Sequence, residues 1–583
     1  ELITGGGAPV ATHARGTAAP PAPGSEVVRV YMAGTWREAT LHLAEHLPEG
    51  GCIPGPALII APGSTLVVDA GWQAMRSAAG DLILSQDAGA SQRPDPLRPD
   101  PTWLTLFNRR FMSIAEDMGR ILQSTARSVN IRERLDFSCA LFDADAHLIA
   151  NAPHIPVHLG SMGDAVAGIA KRFASSLRPG DAYLINSPYA GGTHLPDITV
   201  VMPVFDDTGR QLRYFTAARA HHADIGGIAP GSMPAYSRAI GEEGCLSDGM
   251  RFVAGGHFDE AAVRDWLASG AWPARNPDQN IADLTAQVAA CVAGMDRLRA
   301  YESEVGSEAV LAYMGFVQDN AELAVRRLLA RLRDGACVLP LDDGGRIAVS
   351  VRIDQAAGRA CIDFTGTSAQ SDGNHNAPAS IARSAVLYVL RCLLDCDIPL
   401  NAGVLRPIDI VLATPSLLSP APPAAVVAGN VETSQAIVDA LHGALGTLAA
   451  SQGTMNNLSF GDGRLQYYET LCGGAGAGPG FEGADAVHTH MTNSRLTDPE
   501  VLECQYPVRV EQFAIRRGSG GDGAQRGGDG CLRRLRFLAP MQANLIASRR
   551  RVAPFGLAGG AAGQTGRQWL ERATGEIEVL PGV

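Results

Sequence analysis

The sequence predicts an α+β protein in which a small N-terminal all-β module leads a large mixed α/β body. Three observations predict it. Residues 27–84 run as short apolar stretches broken by turn residues, VVRVYM, TLHLAEHL and PALIIAPGSTLVVDAGW, the pattern of short paired strands. Residues 89–101 (GASQRPDPLRPDP) then gather proline, aspartate and arginine, a linker composition. Beyond it, helical periodicity alternates with strand pairs to the C-terminus, which implies a layered α+β body. The expected division is therefore 1–95 for the module with its linker and 96–583 for the body. Residues 4–25 are rich in Gly, Ala and Pro and read as loose or extended. The chain opens Glu1-Leu2-Ile3 without Met, which suggests a fragment or a processed product.

Within the body, a long helix is expected from Thr102. Leu104, Phe107, Phe111, Ile114, Met118 and Ile121 recur at spacings of three and four and form one apolar stripe. Further helical patterns cover 162–176, 278–334 and 434–450. Residues 346–353 and 359–365 read as a strand pair around Gln355-Ala356-Ala357-Gly358. Residues 198–205 (ITVVMPVF) and 211–220 (QLRYFTAARA) read as another, joined at Asp206-Asp207-Thr208-Gly209-Arg210. No repeat of 20–50 residues is evident.

Composition excludes several function classes. A formal charge of −12 argues against nucleic acid as a partner, because phosphate neutralisation needs a basic surface; the run Arg549-Arg550-Arg551 is too short to alter that. Lys171 is the one lysine in the chain, and it sits in an amphipathic helical pattern. A P-loop needs a lysine after its glycines, so ATP is not bound here through one, and a Schiff-base lysine is nearly excluded. The 11 cysteines occur singly, Cys392 and Cys396 being the closest pair. That spacing fits reduced cytoplasmic thiols rather than a zinc ribbon or a disulfide framework. No secretory signal and no apolar run of about 18 residues is present, so no membrane span is expected.

Five of the 14 histidines lie between 154 and 222: His154 with His158, His194 in HLPD, and His221-His222 in HHAD. Imidazole and carboxylate so grouped suit a divalent metal. A hairpin turn centred near residue 208 would set Asp197 opposite roughly 219 and His194 opposite roughly 222. The predicted ligands are His194, Asp197 and one of the His221/His222 pair, since adjacent side chains of a strand face opposite ways. His158 and Asp224 are candidates for a fourth ligand or for a supporting carboxylate or imidazole. Metal-activated water is the simplest nucleophile, as there is no G-x-S-x-G elbow and no cysteine beside a histidine. Asp224, Glu242 or Glu243 could then serve as general base. The bland alternative is a polar, hydrogen-bonded end of a hairpin.

Three further segments are weaker signals. Asn130 to Ser138 (NIRERLDFS) reads equally as a solvated turn or a site. Tyr467-Tyr468-Glu469-Thr470 followed by the glycines of 473–478 could present backbone N–H groups to an anion, although glycine loops more often just turn. The segment His488-Thr489-His490-Met491-Thr492-Asn493-Ser494-Arg495 alternates polar side chains that would share one strand face, a second polar cluster.

With SVNIRERLDFSCALFD, HIPVHLGSM, DAYLINSPYAGGTHLPDITVVMPVF, ARAHHADIGGIAPGSMP, DFTGTSAQSDGNHNAP, YYETLCGGAGAGP and HTHMTNSRLTDPEVLE, the chain resembles the hydantoinase B/oxoprolinase family from about residue 102 to its end. The preceding GPALIIAPGSTLVVDAGW looks like the C-terminal tail of a hydantoinase A-type half, and the two joined in one chain is the arrangement of fused 5-oxoprolinases. The resemblance implies a B-type body acting beside an A-type half that binds ATP with Mg and phosphorylates the substrate. It implies opening of a small cyclic amide, 5-oxo-L-proline to L-glutamate with ATP and water consumed. The alternatives are an acetone or acetophenone carboxylase subunit, a hydantoin-opening enzyme forming N-carbamoyl amino acids, or a non-catalytic scaffold. HLPD and HHAD match the family's expected metal positions, the ion being Zn, Mn or Fe. The resemblance also makes Arg134, Asp136 and Ser138 substrate contacts, with His488, His490, Asn493 and Arg495 as a second group. It further implies a homo- or hetero-oligomer. Two departures stand out: no A-type catalytic region precedes residue 1, and no glycine-rich tail follows Gly582.

Overall fold

The computed structural model describes residues 26–32, 35–86, 94–395 and 398–580; the expectation for 4–25 and residues 89–93 of the predicted linker lie outside them, as does Cys396. The chain divides into two compact units, Glu1–Pro94 and Asp95–Val583.

In the first unit, Glu26–Met32, Thr35–Leu43, Ala57–Ala61 and Ser64–Val68 form a four-stranded sheet, in that order. Cys52–Pro54, Trp72–Arg76 and Leu82–Gln86 form a second, three-stranded one. Leu47, Ile53, Ala57, Ile59, Val68 and Ala74 fill the core.

The second unit is built on a seven-stranded antiparallel sheet. Its order is His257–Phe258, Met250–Ala254, Ala182–Ile185, Asp197–Phe205, Leu212–His221, Phe137–Asp143, Leu148–Asn151. Both faces are covered. Along Asp197–Phe205, Ile198, Val200, Met202 and Val204 join one core with the helices Pro101–Thr125, Pro277–Val305 and Ser307–Leu329. Val201 points the other way, into a core shared with the helix Pro156–Arg172. Burial on both faces explains why this strand reads as an unbroken apolar run. Parity then assigns Asp197, Thr199, Arg219 and His221 to the face of the Pro156–Arg172 helix. A second sheet (Gly335–Pro340, Arg346–Asp354, Arg359–Asp363, Ile408–Val411) shares a core with the helices Ala379–Leu393 and Ser434–Leu445. A small third sheet orders Gln466–Thr470, Asn457–Gly461 and Gln542–Ile546.

The predicted elements shift in informative ways. The long helix spans Pro101–Thr125, with the Asp100 carboxylate accepting from the N–H groups of Thr102 and Trp103. Its buried stripe ends at Leu122, with Ile121 only half-buried. The pattern over 278–334 is two helices, because Gly306 takes φ 97° between them. The helix expected at 162–176 instead begins at Pro156, where proline's missing N–H is harmless. The hairpin pairs Asp197 with His221, two residues from the predicted partner. Arg213 has no partner between the pairs Phe205–Leu212 and Val204–Tyr214, a bulge that moves the register on by one. Among the described residues no helix is long and apolar enough to cross a membrane.

Candidate metal centre

The open end of the hairpin carries a buried cluster. Asp197 opens one strand, His221 closes the next, and His194 stands three residues before Asp197. Asp197 Oδ1 lies 3.0 Å from His194 Nε2 and 3.1 Å from His221 Nδ1, while Oδ2 lies 3.2 Å from His158 Nε2. The Thr193 hydroxyl donates to Oδ2 at 2.8 Å, and Ser138 Oγ lies 3.1 Å from His158 Nδ1. Burial alone would raise the Asp197 carboxyl, but His194 and His158 outweigh it and hold it well below the usual carboxylate range. Burial pushes His221 toward the neutral form.

His194, Asp197 and His221 each offer a ligand atom within 4.8 Å of the others, a spacing that can hold a metal ion. Among the described residues neither His194 Nδ1 nor His221 Nε2 has a hydrogen-bond partner although both are buried, and His194 Nε2 meets only the Asp197 carboxylate. Buried imidazole nitrogens left bare are costly, and an ion among them would satisfy them. The donor set of two imidazoles and a carboxylate therefore fits a divalent metal. His222 faces the other side of the sheet, where Nε2 meets Gln287 Oε1 and Nδ1 meets Asn280 Nδ2, both at 3.0 Å. Of the pair, His221 alone joins the cluster, and His222 is corrected to a hydrogen-bonded partner of the helix Pro277–Val305.

A small cavity opens onto the cluster. His158, His194, Asp197 and His221 form one wall, with Asp136, Thr470 and Thr492 adding polar groups and Ile155, Val157, Val431, Met455 and Met491 apolar ones. Tyr468 stacks on His221 with ring centroids 4.8 Å apart, and the Arg134 guanidinium lies over the Tyr468 ring, 4.3 Å from its centre. Asn430 and Val431 belong to a π-helical turn, Gly429–Thr433, ahead of the helix Ser434–Leu445. Sequence reasoning missed Thr193, Asn430, Val431, Met455, Met491 and Thr492. Only Thr193, four residues ahead of Asp197, carried a local signal.

Other predicted site residues lie elsewhere. Asp224 is spoken for: its carboxylate accepts from the N–H groups of Gly226, Gly231 and Arg275 and from Arg275 Nη1 at 2.7 Å. Glu242 accepts from Arg238 N–H. Glu243 is fully buried and accepts from Ser237 Oγ and the N–H groups of Val426 and Val427, which tethers the chain entering the π-helical turn. None of the three lines the cavity, so their expected role as general base is corrected to loop anchoring. Arg134 is wholly buried, with Nη2 3.3 Å from both Thr470 Oγ1 and Ser494 Oγ. The segment of His488 to Arg495 is irregular, not a strand, with His490 at φ 55°. His490 instead meets Asp439, 3.4 Å away, which is also ion-paired to Arg549. His488 is driven to about 4 by burial, and Asn493 and Arg495 are exposed. The glycines near 473–478 permit close backbone passage rather than an anion nest: a Cβ on Gly474 would stand 1.9 Å from the Gly528 carbonyl oxygen, and one on Gly476 1.9 Å from that of Ala449.

Glu243 yields a pH prediction. Burial raises its carboxyl from 4.5 to about 7, against the pull of the Val427, Ser237 and Val426 donors. Because the folded value is raised, its contribution to stability is full below 4.5 and is lost as pH climbs through about 7. Glu243→Gln, neutral throughout, should therefore gain on the native protein by up to about 3 kcal/mol between pH 4.5 and 8. Denaturant midpoints of both proteins across that range would check this; parallel curves would refute it.

A family model described as Hydantoinase B/oxoprolinase matches residues 100–582, and one for the Hydantoinase/oxoprolinase C-terminal domain matches residues 9–78. The chain is 43% identical over 567 residues to "5-oxoprolinase 1" of Arabidopsis thaliana, covering 93% of this chain and 45% of that protein. It thus spans about half the length of such curated relatives. The solved ATP-dependent caprolactamase from Pseudomonas jessenii is similar at a TM-score of 0.68 and 25% identity, over 76% of this chain and 80% of that one. Nucleotide-free acetone carboxylase shares the fold at a TM-score of 0.72 and 18% identity, over 83% of this chain and 68% of that one.

Proposed function

Since the chain belongs to the hydantoinase B/oxoprolinase family, we propose that it is the ring-opening half of an ATP-dependent cyclic amidohydrolase of the 5-oxoprolinase type. The reaction is 5-oxo-L-proline with ATP and water to L-glutamate, ADP and phosphate, in a cytoplasmic oligomer. The observation that carries the reading is the buried His194–Asp197–His221 cluster, with His194 Nδ1 and His221 Nε2 free of hydrogen bonds, at the wall of a cavity. An amide is a poor electrophile, and phosphorylation of its carbonyl oxygen makes it a reactive imidate. With a single lysine and no P-loop, this chain leaves that step to an A-type half using ATP and Mg.

His194, Asp197 and His221 would hold the divalent ion, Zn, Mn or Fe, which when bound supplies Lewis acidity and lowers the pKa of water. His158 and Thr193 fix the Asp197 carboxylate from its far oxygen. Ile155, Val157, Val431, Met455 and Met491 keep bulk water from the ring, which strengthens every electrostatic contact inside.

The test is glutamate formation from 5-oxo-L-proline by the chain assembled with its ATP-binding half. Chelation should abolish it and added metal restore it. Full turnover in metal-free protein would remove the reading, and bicarbonate-dependent ATP turnover without glutamate would replace it with a carboxylase.

A further inference from the structure

Away from the metal centre, two thiols meet. Cys472 Sγ and Cys531 Sγ lie 3.3 Å apart, although 59 residues separate them along the chain, and neither is in a disulfide. Both are half-buried, whereas Cys139 and Cys291 are sealed in the core and pushed up by burial. Cys472 follows the strand Gln466–Thr470, and Cys531 sits in the strand Gly530–Phe537, opposite Ile515. The backbone around Cys472 is fixed. Leu471 N–H donates to the Met455 carbonyl at 2.9 Å and Gly473 N–H to that of Val487 at 3.1 Å. A Cβ on Gly473 would stand 1.8 Å from Gln452 Oε1, so the chain has no room to shift there. Close by, Arg533 forks onto Glu469 at 3.0 and 2.8 Å, and the same two strands are thereby already joined once. The Cys531 thiol, helped by Arg533, holds the Cys472 thiol below its usual range against burial, while Cys531 itself is pushed up. An acidified, accessible thiol with a second thiol in reach is the kind that oxidation selects.

We propose that Cys472 and Cys531 form a reversible dithiol–disulfide site for hydroperoxides, with Cys472 as the attacking sulfur and Cys531 as the resolving one. The Cys472 thiolate takes one peroxide oxygen, the O–O bond breaks, and hydroxide leaves to collect the proton that Cys472 gave up. The Cys531 sulfur then attacks the sulfenic acid. Its S–O bond breaks, the S–S bond forms, and water departs with the Cys531 proton. The two thiols lose two electrons, and the peroxide becomes two waters. A disulfide spans about 2.05 Å, which leaves the sulfurs about 1.3 Å to close. The bond staples the strand Gly530–Phe537 to the strand whose Tyr468 and Thr470 wall the metal cavity. Transient disulfides of this sort are the ones that reducing compartments permit.

In the reduced chain treated with hydrogen peroxide, mass spectrometry of a non-reducing digest should show the peptides of Cys472 and Cys531 joined and two hydrogens lighter. Dithiothreitol should part them. Both thiols should cease to alkylate before the exposed Cys392 and Cys504 do. In Cys531→Ser, a 1,3-diketone should label Cys472 as its trapped sulfenic acid; in Cys472→Ser, Cys531 should stay unlabelled. Peroxide that oxidises Cys392 or Cys504 while Cys472 and Cys531 remain free thiols overturns the inference, since the two sulfurs then only pack. Equal labelling of the two variants overturns the order of attack. Circular dichroism shows whether each variant is folded, and the native chain alone decides whether the bond forms.

Discussion

Asp197→Ala is expected to leave the purified protein without its metal and to lower ring opening by more than about a hundredfold, beyond what losing an outer partner of a ligand costs. One oxygen of this side chain faces both His194 and His221 at 3.0 and 3.1 Å, and the other faces His158 at 3.2 Å. Removing it deletes a ligand and frees three imidazoles that it aligns. Stability should fall as well, by about 3–5 kcal/mol, the usual result of breaking a buried charged cluster from one side. Asp197→Asn keeps the shape and separates the effects: folding should recover most of the loss while metal content does not. His222→Ala is the contrasting variant. Its two contacts, Gln287 and Asn280, belong to the far face of the sheet, so about 1–3 kcal/mol of stability should go while metal content stays. Metal analysis beside urea unfolding reads both quantities. Metal retained in Asp197→Asn and lost in His222→Ala would reverse the assignment of faces.

How far the sequence could be read follows from which interactions are local. Strand alternation and turn chemistry are local, and they were enough to bring HLPD and HHAD to one end of a hairpin. The register was two residues out: one because the turn is centred between 208 and 209, and one because a bulge at Arg213 has no signature in an otherwise even strand. Alternation also showed that one of His221 and His222 must turn away, but which one depends on the layer packed against each face, and that is tertiary. The same limit hid Asn430, Met455 and Thr492, which reach the cavity from loops and a π-helical segment hundreds of residues downstream. Sequence proximity misled in the opposite sense for Asp224, Glu242 and Glu243. Their charges are near the histidines along the chain, yet they are used up by loop N–H groups and an arginine.

Arg134→Ala is expected to cost about 3–5 kcal/mol of folding stability, which separates this residue from the substrate contacts with which the sequence groups it. Its guanidinium is fully buried and does not line the cavity. It lies 4.3 Å over the Tyr468 ring, and that ring in turn stacks on His221. The Tyr468 hydroxyl donates to Asn457 Oδ1 at 2.8 Å, and Asn457 Nδ2 donates to Glu432 at 2.7 Å, so the ring has little freedom to follow a shrinking neighbour. Truncation would leave Asp136 as a buried charge with no cation beside it and Tyr468 without its guanidinium contact. Arg134→Lys should recover only part of the loss, since an ammonium can neither fork to Thr470 and Ser494 nor lie flat on a ring. Urea unfolding of the native chain and both variants, with metal content measured alongside, decides the matter. An arginine that served the substrate directly would instead raise KM in the assembled enzyme and leave the unfolding midpoint where it was. A buried cation beneath Asp136 and Tyr468 acts earlier, by holding the wall against which the His221 ring is set.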